Sequence, residues 1–239
     1  MTEKNETKKV SPHKDYPHEE GMYIRGNDFS SVAVTIILNA PAYNVPPELE
    51  KLVQAGIEGG AALSGMHQTE NIGIEKVVCN IVANPNIRYL VVGGPESEGH
   101  LTGEAMKALL QNGIDDKRRI IGTNAPVPLL LNLPMEYIDR FRKQLTLVDL
   151  QFQDIETVRA TVRSCVQENP VKLRDQSLFD PGAYPEPPLN GLITWSVTQP
   201  WTEPANEKEV EAKRKVEALK EFLKNRGEKK DRIKDAPLR

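Results

Sequence analysis

The residues able to do chemistry crowd into two short stretches. "SGMHQTEN" (64–71) holds His67 and Glu70, and "GGPESEGHLTG" (93–103) holds Glu96, Glu98 and His100. An imidazole among carboxylates suits a metal ligand or a general base. It equally suits a loop histidine that caps a helix or ties a turn. A base needs a reacting proton within reach; the local hydroxyls are Ser97 and Thr102. No G-x-S-x-G elbow is present, and "GGPESEG" lacks the G-K-[ST] ending of a phosphate-cradling loop. His67 and His100 with Glu70, Glu96 or Glu98 would make a small metal-dependent enzyme, although the spacing is not diagnostic of one.

These stretches must be positioned by the elements around them. "SVAVTIIL" (31–38) and "IRYLVVGG" (87–94) are apolar and β-rich, as strands buried on both faces are. "AALSG" (61–65), part of "RRIIGTNAPVPLLLN" and "LTLVDL" (145–150) are the other strand candidates. Helices alternate with them. "PPELEKLVQAG" starts at proline and should stop at Gly56. "TENIGIEKVVCNIVANP" should stop at Asn84-Pro85. "TGEAMKALLQNG" should stop at Asn112-Gly113. "PMEYIDRFRKQ" starts at proline, and "DIETVRATVRSCVQENP" has Asp154 as its N-cap. Such alternation gives βαβ units. The fold class is therefore α/β: a Rossmann-like, open, mainly parallel sheet with helices on both faces, plus a C-terminal extension.

In such sheets ligands bind beyond the carboxyl ends of the strands. Three loops should meet there: 64–71, 93–103 and 122–128. Each leads toward a helix whose free N–H groups suit an anionic or polar ligand.

The 239 residues divide into a flexible arm (1–21), the sheet domain (22–170), a proline-rich linker or docked segment (171–205) and a charged helix and tail (206–239). The segment 171–205 holds both tryptophans, Trp195 and Trp201. The last helix has a thin apolar seam of Val216, Leu219 and Leu223. The net charge of -3, with both signs interspersed, argues against nucleic acid. Cys79 and Cys165 sit in apolar helical patterns and read as buried thiols. The charged N-terminus lacks a signal-peptide core, and no apolar run is long enough to span a bilayer. The expected place is the cytoplasm.

Taken together, "TENIGIEK" (69–76), "NPNIR" (84–88) and "GHLTGE" (99–104) resemble the A subunit of tetrahydromethanopterin S-methyltransferase. The resemblance runs over about residues 23 to 168. It implies a cobalamin-binding methyl carrier in one-carbon metabolism related to methanogenesis, with partner subunits catalysing the half-reactions. The methyl group would pass from a methyl-tetrahydropterin to a thiol such as coenzyme M. The family's histidine ligand to cobalt falls on His100, with no other catalytic residue implied. Laid over the three loops, the resemblance implies a corrinoid site at Gly65, His67, Thr69, Glu70, Asn71, Gly94, Glu98, Gly99, His100, Thr102, Gly103, Gly122 and Pro126. Glu98, two residues from His100, is the expected acceptor of its second ring N–H.

Two departures qualify what is implied. Family members often end in a membrane helix, whereas this chain ends in "EKKDRIKDAPLR", which points to a soluble role outside the membrane complex. Met66-His67 stands where the family typically has Pro-Cys, which leaves the donor open between methanopterin and folate. A binding or regulatory module that kept the fold without the corrinoid is the alternative function. Whether the chain forms a homo-oligomer is open.

Overall fold

The computed structural model describes residues 9–166, 172–173, 176–189 and nine helical positions between 207 and 221. The central sheet has five strands: β1 (Tyr23–Arg25), β2 (Val32–Ile37), β3 (Leu63–His67), β4 (Tyr89–Gly94) and β5 (Thr146–Gln151). Their order is β1-β3-β2-β4-β5. β1 runs antiparallel to β3, and every other pairing is parallel. This is the expected Rossmann-like α/β class.

The period of two along the central strands sorts the core into two layers. Val32, Val34, Ile36 and Leu38 pack with α1 (Pro47–Glu58) and α5 (Ile155–Cys165). Ala33, Ile37, Leu90 and Val92 pack with α2 (Ile72–Val82), α3 (Thr102–Asn112) and α4 (Met135–Gln144). Phe141, Ile74 and Leu109 are the large residues closing that second layer, all fully buried.

Three local expectations need correction. α1 does not stop at Gly56; it runs on to Glu58 and is capped by Gly59. Gly56 is instead a contact point, because a Cβ there would lie 2.5 Å from Ser64 Oγ. β3 extends to His67, so Met66 and His67 are strand residues rather than loop residues. "RRII" forms no strand of the sheet. It makes only the isolated bridges Ile114–Ile120 and Arg119–Leu129, and the adjoining chain carries prolines at 126 and 128 that cannot donate to a ladder.

The arm is also not free over its described part. Asn86 accepts from Val10 N at 3.0 Å and donates to Val10 O at 2.6 Å. Asn80 does the same for Glu19, at 2.7 and 3.0 Å. Two side-chain amides thus mimic a strand partner, and Tyr16 between them is 2 % exposed. Farther on, Tyr184 stacks against the guanidinium groups of Arg140 and Arg88, 4.2 and 5.2 Å from its ring centre. Leu189 N donates to Val82 O. Residues 178–189 are docked in this way.

Trp195, Trp201 and the seam Val216, Leu219 and Leu223 lie outside the described residues. Residues 194–239 form a second compact unit; its described positions are helical, with a Lys215–Glu211 ion pair at 2.8 Å. Among the described residues no helix is long and apolar enough to cross a membrane. Cys79 and Cys165 are buried free thiols, both pushed up to about 12 by burial.

Candidate functional site

The parallel register brings the ends of β2, β3, β4 and β5 to one edge of the sheet. From β2 the chain moves outward to β3 and then crosses to β4 on the other side. That reversal is where open α/β sheets hold ligands. The loops after β3 and β4 meet there, although 30 residues separate their contacting side chains in sequence.

Glu70 and His100 make the central contact. Glu70 Oε2 lies 2.7 Å from His100 Nδ1. Glu70 is 1 % exposed, and its Oε1 accepts from Val127 N at 2.8 Å. The His100 side chain is 44 % exposed. A carboxylate only accepts, so Nδ1 is the donor in this contact and Nε2 is the ring nitrogen left for another partner. Nε2 has no protein partner among the described residues. Gly99, beside it at φ 90°, has open space where a Cβ would be. The result is a half-exposed imidazole oriented by a buried carboxylate.

The expected partner was a different carboxylate. Glu98 is exposed and makes no hydrogen bond to His100. Chain proximity pointed to Glu98; the crossing of the two loops supplies Glu70 instead. His67 is also not beside His100 as a co-ligand. It is buried against the sheet, its Nδ1 2.7 Å from Thr35 Oγ1. Among the described residues no group of three or more His, Cys, Asp or Glu is placed to hold a metal ion. The metal-enzyme reading built on His67 and His100 therefore has no ligand set.

A hydroxyl nucleophile is not formed either. Thr102 Oγ1 donates to Gln68 O at 2.7 Å and lies 2.7 Å from Ser97 Oγ. Thr102 stitches the β3 and β4 loops together, Ser97 Oγ is held by Thr102, and neither hydroxyl is bonded to His100.

The helix starts expected to receive an anion are filled by the protein itself. Glu96 accepts from Ser97 N, Gly103 N and Glu104 N at 2.9, 2.9 and 3.0 Å. Its carboxylate sits where a phosphate would sit. At α2, Asn71 Oδ1 accepts from Ile72 N and Thr69 Oγ1 from Gly73 N. Asn71 Nδ2 also donates to Val127 O at 3.3 Å, which ties the third loop to the first.

The remaining expected residues have structural contacts of their own. At Gly65 a Cβ would meet Tyr23 Cβ at 2.6 Å, so this glycine lets β1 approach β3. At Gly103 it would meet Gln151 Nε2 at 2.4 Å, so α3 sits directly on β5. Gly94, the last residue of β4, and Gly122, in a turn, take positive φ. Pro126 is half-buried, one residue from the Val127 N–H that holds Glu70. Glu104 was missed. Its Oε1 accepts from Thr123 Oγ1 at 3.0 Å and from Asn124 N, fixing the third loop. Nothing in its local pattern marks that role.

Comparison with known proteins agrees with the resemblance that "TENIGIEK", "NPNIR" and "GHLTGE" carry. The family model for the A subunit of tetrahydromethanopterin S-methyltransferase matches residues 8–179. Form 1 of the A subunit from Methanothermobacter thermautotrophicus is 40 % identical over 172 residues, covering 71 % of this chain and 68 % of that protein. Form 2 from the same organism is 42 % identical over 178 residues, 74 % of this chain and 85 % of its own length. Form 2 from Methanothermobacter marburgensis is 41 % identical over 191 residues, 79 % and 91 % of the two chains.

Proposed function

The chain belongs to the family of tetrahydromethanopterin S-methyltransferase A subunits, and from that premise we propose that it is a corrinoid-binding methyl carrier with His100 as cobalt ligand. The observation that carries this reading is the Glu70–His100 pair. A buried carboxylate presents one half-exposed imidazole, by its Nε2, at the sheet edge where ligands gather. The donor set fits the group: one ring nitrogen oriented by Glu70, beside the open space at Gly99.

The bound cobalamin would supply the nucleophile and leaving group of methyl transfer, between a methyl-tetrahydropterin (methanopterin or folate) and a thiol such as coenzyme M. The chain's own residues do the rest. Glu70 keeps the proton on Nδ1. Val127 N keeps Glu70 from rotating. Thr102 and Gln68 hold the two loops in register. Partner methyltransferase subunits would catalyse the half-reactions, since no hydroxyl or second base is bonded to His100 among the described residues.

The test is to add hydroxocobalamin to the purified full chain and separate free cofactor by gel filtration. Retained corrinoid with a spectrum that changes in His100→Ala supports the reading. No corrinoid retained at stoichiometric protein overturns it, and an unchanged spectrum in the variant overturns the ligand assignment.

A further inference from the structure

Two prolines isolate the donor that holds Glu70. The third loop reads "TNAPVP" over 123–128. Pro126 and Pro128 have no N–H, so among residues 126–128 only Val127 can donate from its backbone. It donates to Glu70 Oε1 at 2.8 Å. That bond decides which oxygen of Glu70 is left for His100. The other, Oε2, lies 2.7 Å from His100 Nδ1.

The loop does not hold this place by itself. Glu104, in the first turn of α3, grips it. Glu104 Oε1 accepts from Thr123 Oγ1 at 3.0 Å, from Asn124 N, and from Asn124 Nδ2 at 3.2 Å. Hydrogen bonds to a carboxylate are roughly twice as strong as neutral ones. Thr123 Oγ1 in turn accepts from Ala125 N at 3.1 Å. Only Ala125 and Pro126 separate this grip from Val127. Ala125 is 1 % exposed, and its O accepts from Arg119 Nη2 at 3.4 Å. Pro126 has a fixed φ and restricts the residue before it. The span is stiff, so the grip at 123–124 is carried to Val127. The Glu104 backbone N donates to Glu96 Oε2 at 3.0 Å, so the gripping residue is anchored to the loop that carries His100.

We propose that Glu104 is a positioning residue for His100, acting at a distance through the third loop and Glu70. The relay stands on contacts within this chain. Its consequence for cobalamin rests on the methyl-carrier reading.

The test reads the 15N signals of the His100 ring in the full chain without cobalamin, at about pH 8.5, where a free imidazole is neutral. The parent should show Nδ1 as the donor-type nitrogen. Glu104→Ala should move both ring signals toward the averaged values of an unconstrained imidazole. Glu104→Gln keeps an accepting oxygen and should stay with the parent. Thr123→Val weakens the same grip from the loop side and decides if Glu104→Ala does not fold. Asn86→Ala controls for general loosening: it frees Val10 at the opposite end of β4 and should leave His100 unmoved. Where the parent retains hydroxocobalamin, Glu104→Ala should retain it up to about tenfold less well. Unmoved His100 signals in Glu104→Ala, or in Thr123→Val where that variant decides, overturn the proposal. So does an equal shift in Asn86→Ala or in Glu104→Gln, which would assign the effect to loosening or to lost charge. A parent that retains no corrinoid overturns the methyl-carrier reading and leaves the ring signals to decide the relay.

Discussion

Glu70 Oε2 reaches His100 Nδ1 at 2.7 Å across 30 residues of sequence, and the two side chains differ sharply in exposure, 1 % against 44 %. The carboxylate is therefore the fixed member and the imidazole the presented one. Removing water from Glu70 is offset by its two hydrogen bonds, to His100 and to Val127 N. Pairs of this kind set both the tautomer and the basicity of a metal-binding histidine.

Replacing Glu70 should thus weaken the site without touching the ligand atom. Glu70→Gln can offer its amide either way round, so the Nδ1 proton is no longer enforced. Cobalamin retention should fall by about 10- to 100-fold, the usual cost of losing such a partner. Glu98→Gln should leave retention unchanged, since Glu98 is exposed and does not touch His100. Equilibrium dialysis of both variants against hydroxocobalamin checks this. Equal losses would show that charge near the loop matters and the specific contact does not.

The fold was legible because its signal is periodic. Alternation of buried strands with amphipathic helices appears in "SVAVTIIL" and "IRYLVVGG" and survives in β2 and β4. The gathering of the β3 and β4 loops followed from parallel topology alone. What could not be read was which side chains cross between loops. Glu98 is close to His100 in the chain, yet contacts here are set by strand register, and that places Glu70 opposite. His67 was misplaced for a related reason. One extra pair of residues in β3 turned it from a loop residue into a sheet residue, and the period of two then set which face it occupies. The anchoring of the arm rests on Asn80 and Asn86, and nothing in a charged N-terminal sequence announces amide partners 61 and 76 residues away.

His67 should leave a mark on the pH dependence of stability. Burial holds it at about 4, below its ordinary 6.5. Between these values the unfolded chain binds a proton that the folded chain does not. Stability therefore falls as the pH drops from 6.5 toward 4 and this loss levels off below 4, amounting to about 3 kcal/mol. Urea unfolding at several pH values checks it, by comparison with His67→Leu. The variant's curve should be flatter over that window alone; parallel curves would mean that His67 titrates normally in the fold.

Glu96 should matter for stability more than its loop position implies. It accepts from the N–H groups of Gly103 and Glu104 at the start of α3, from Ser97 N in the preceding loop, and from Gln151 Nε2 at 3.3 Å. Glu96→Ala leaves those donors without their carboxylate, and the expected loss is about 1–3 kcal/mol. The unfolding midpoint in urea should drop with the slope unchanged. A variant as stable as the parent would show that water replaces the carboxylate at no cost.

Phe152 carries the opposite expectation. It follows β5 at the same edge as His100, and its N–H donates to Gly94 O at 3.0 Å. Its φ is 62° and it is 74 % exposed. A left-handed backbone costs an ordinary residue about 1–2 kcal/mol, and an exposed ring returns little of that through packing. Asparagine tolerates this conformation and keeps the N–H, so Phe152→Asn should raise stability by about 0.5–1 kcal/mol. Glycine relieves the same strain but adds freedom to the unfolded chain, so Phe152→Gly should come out near neutral. Strain of this kind persists where a site uses it. If the ring contacts a bound corrinoid at this edge, Phe152→Asn will unfold at higher urea and yet retain cobalamin less well. A gain in stability with retention unchanged would assign the ring no part in the site, and a loss of stability would show that its packing outweighs the backbone strain.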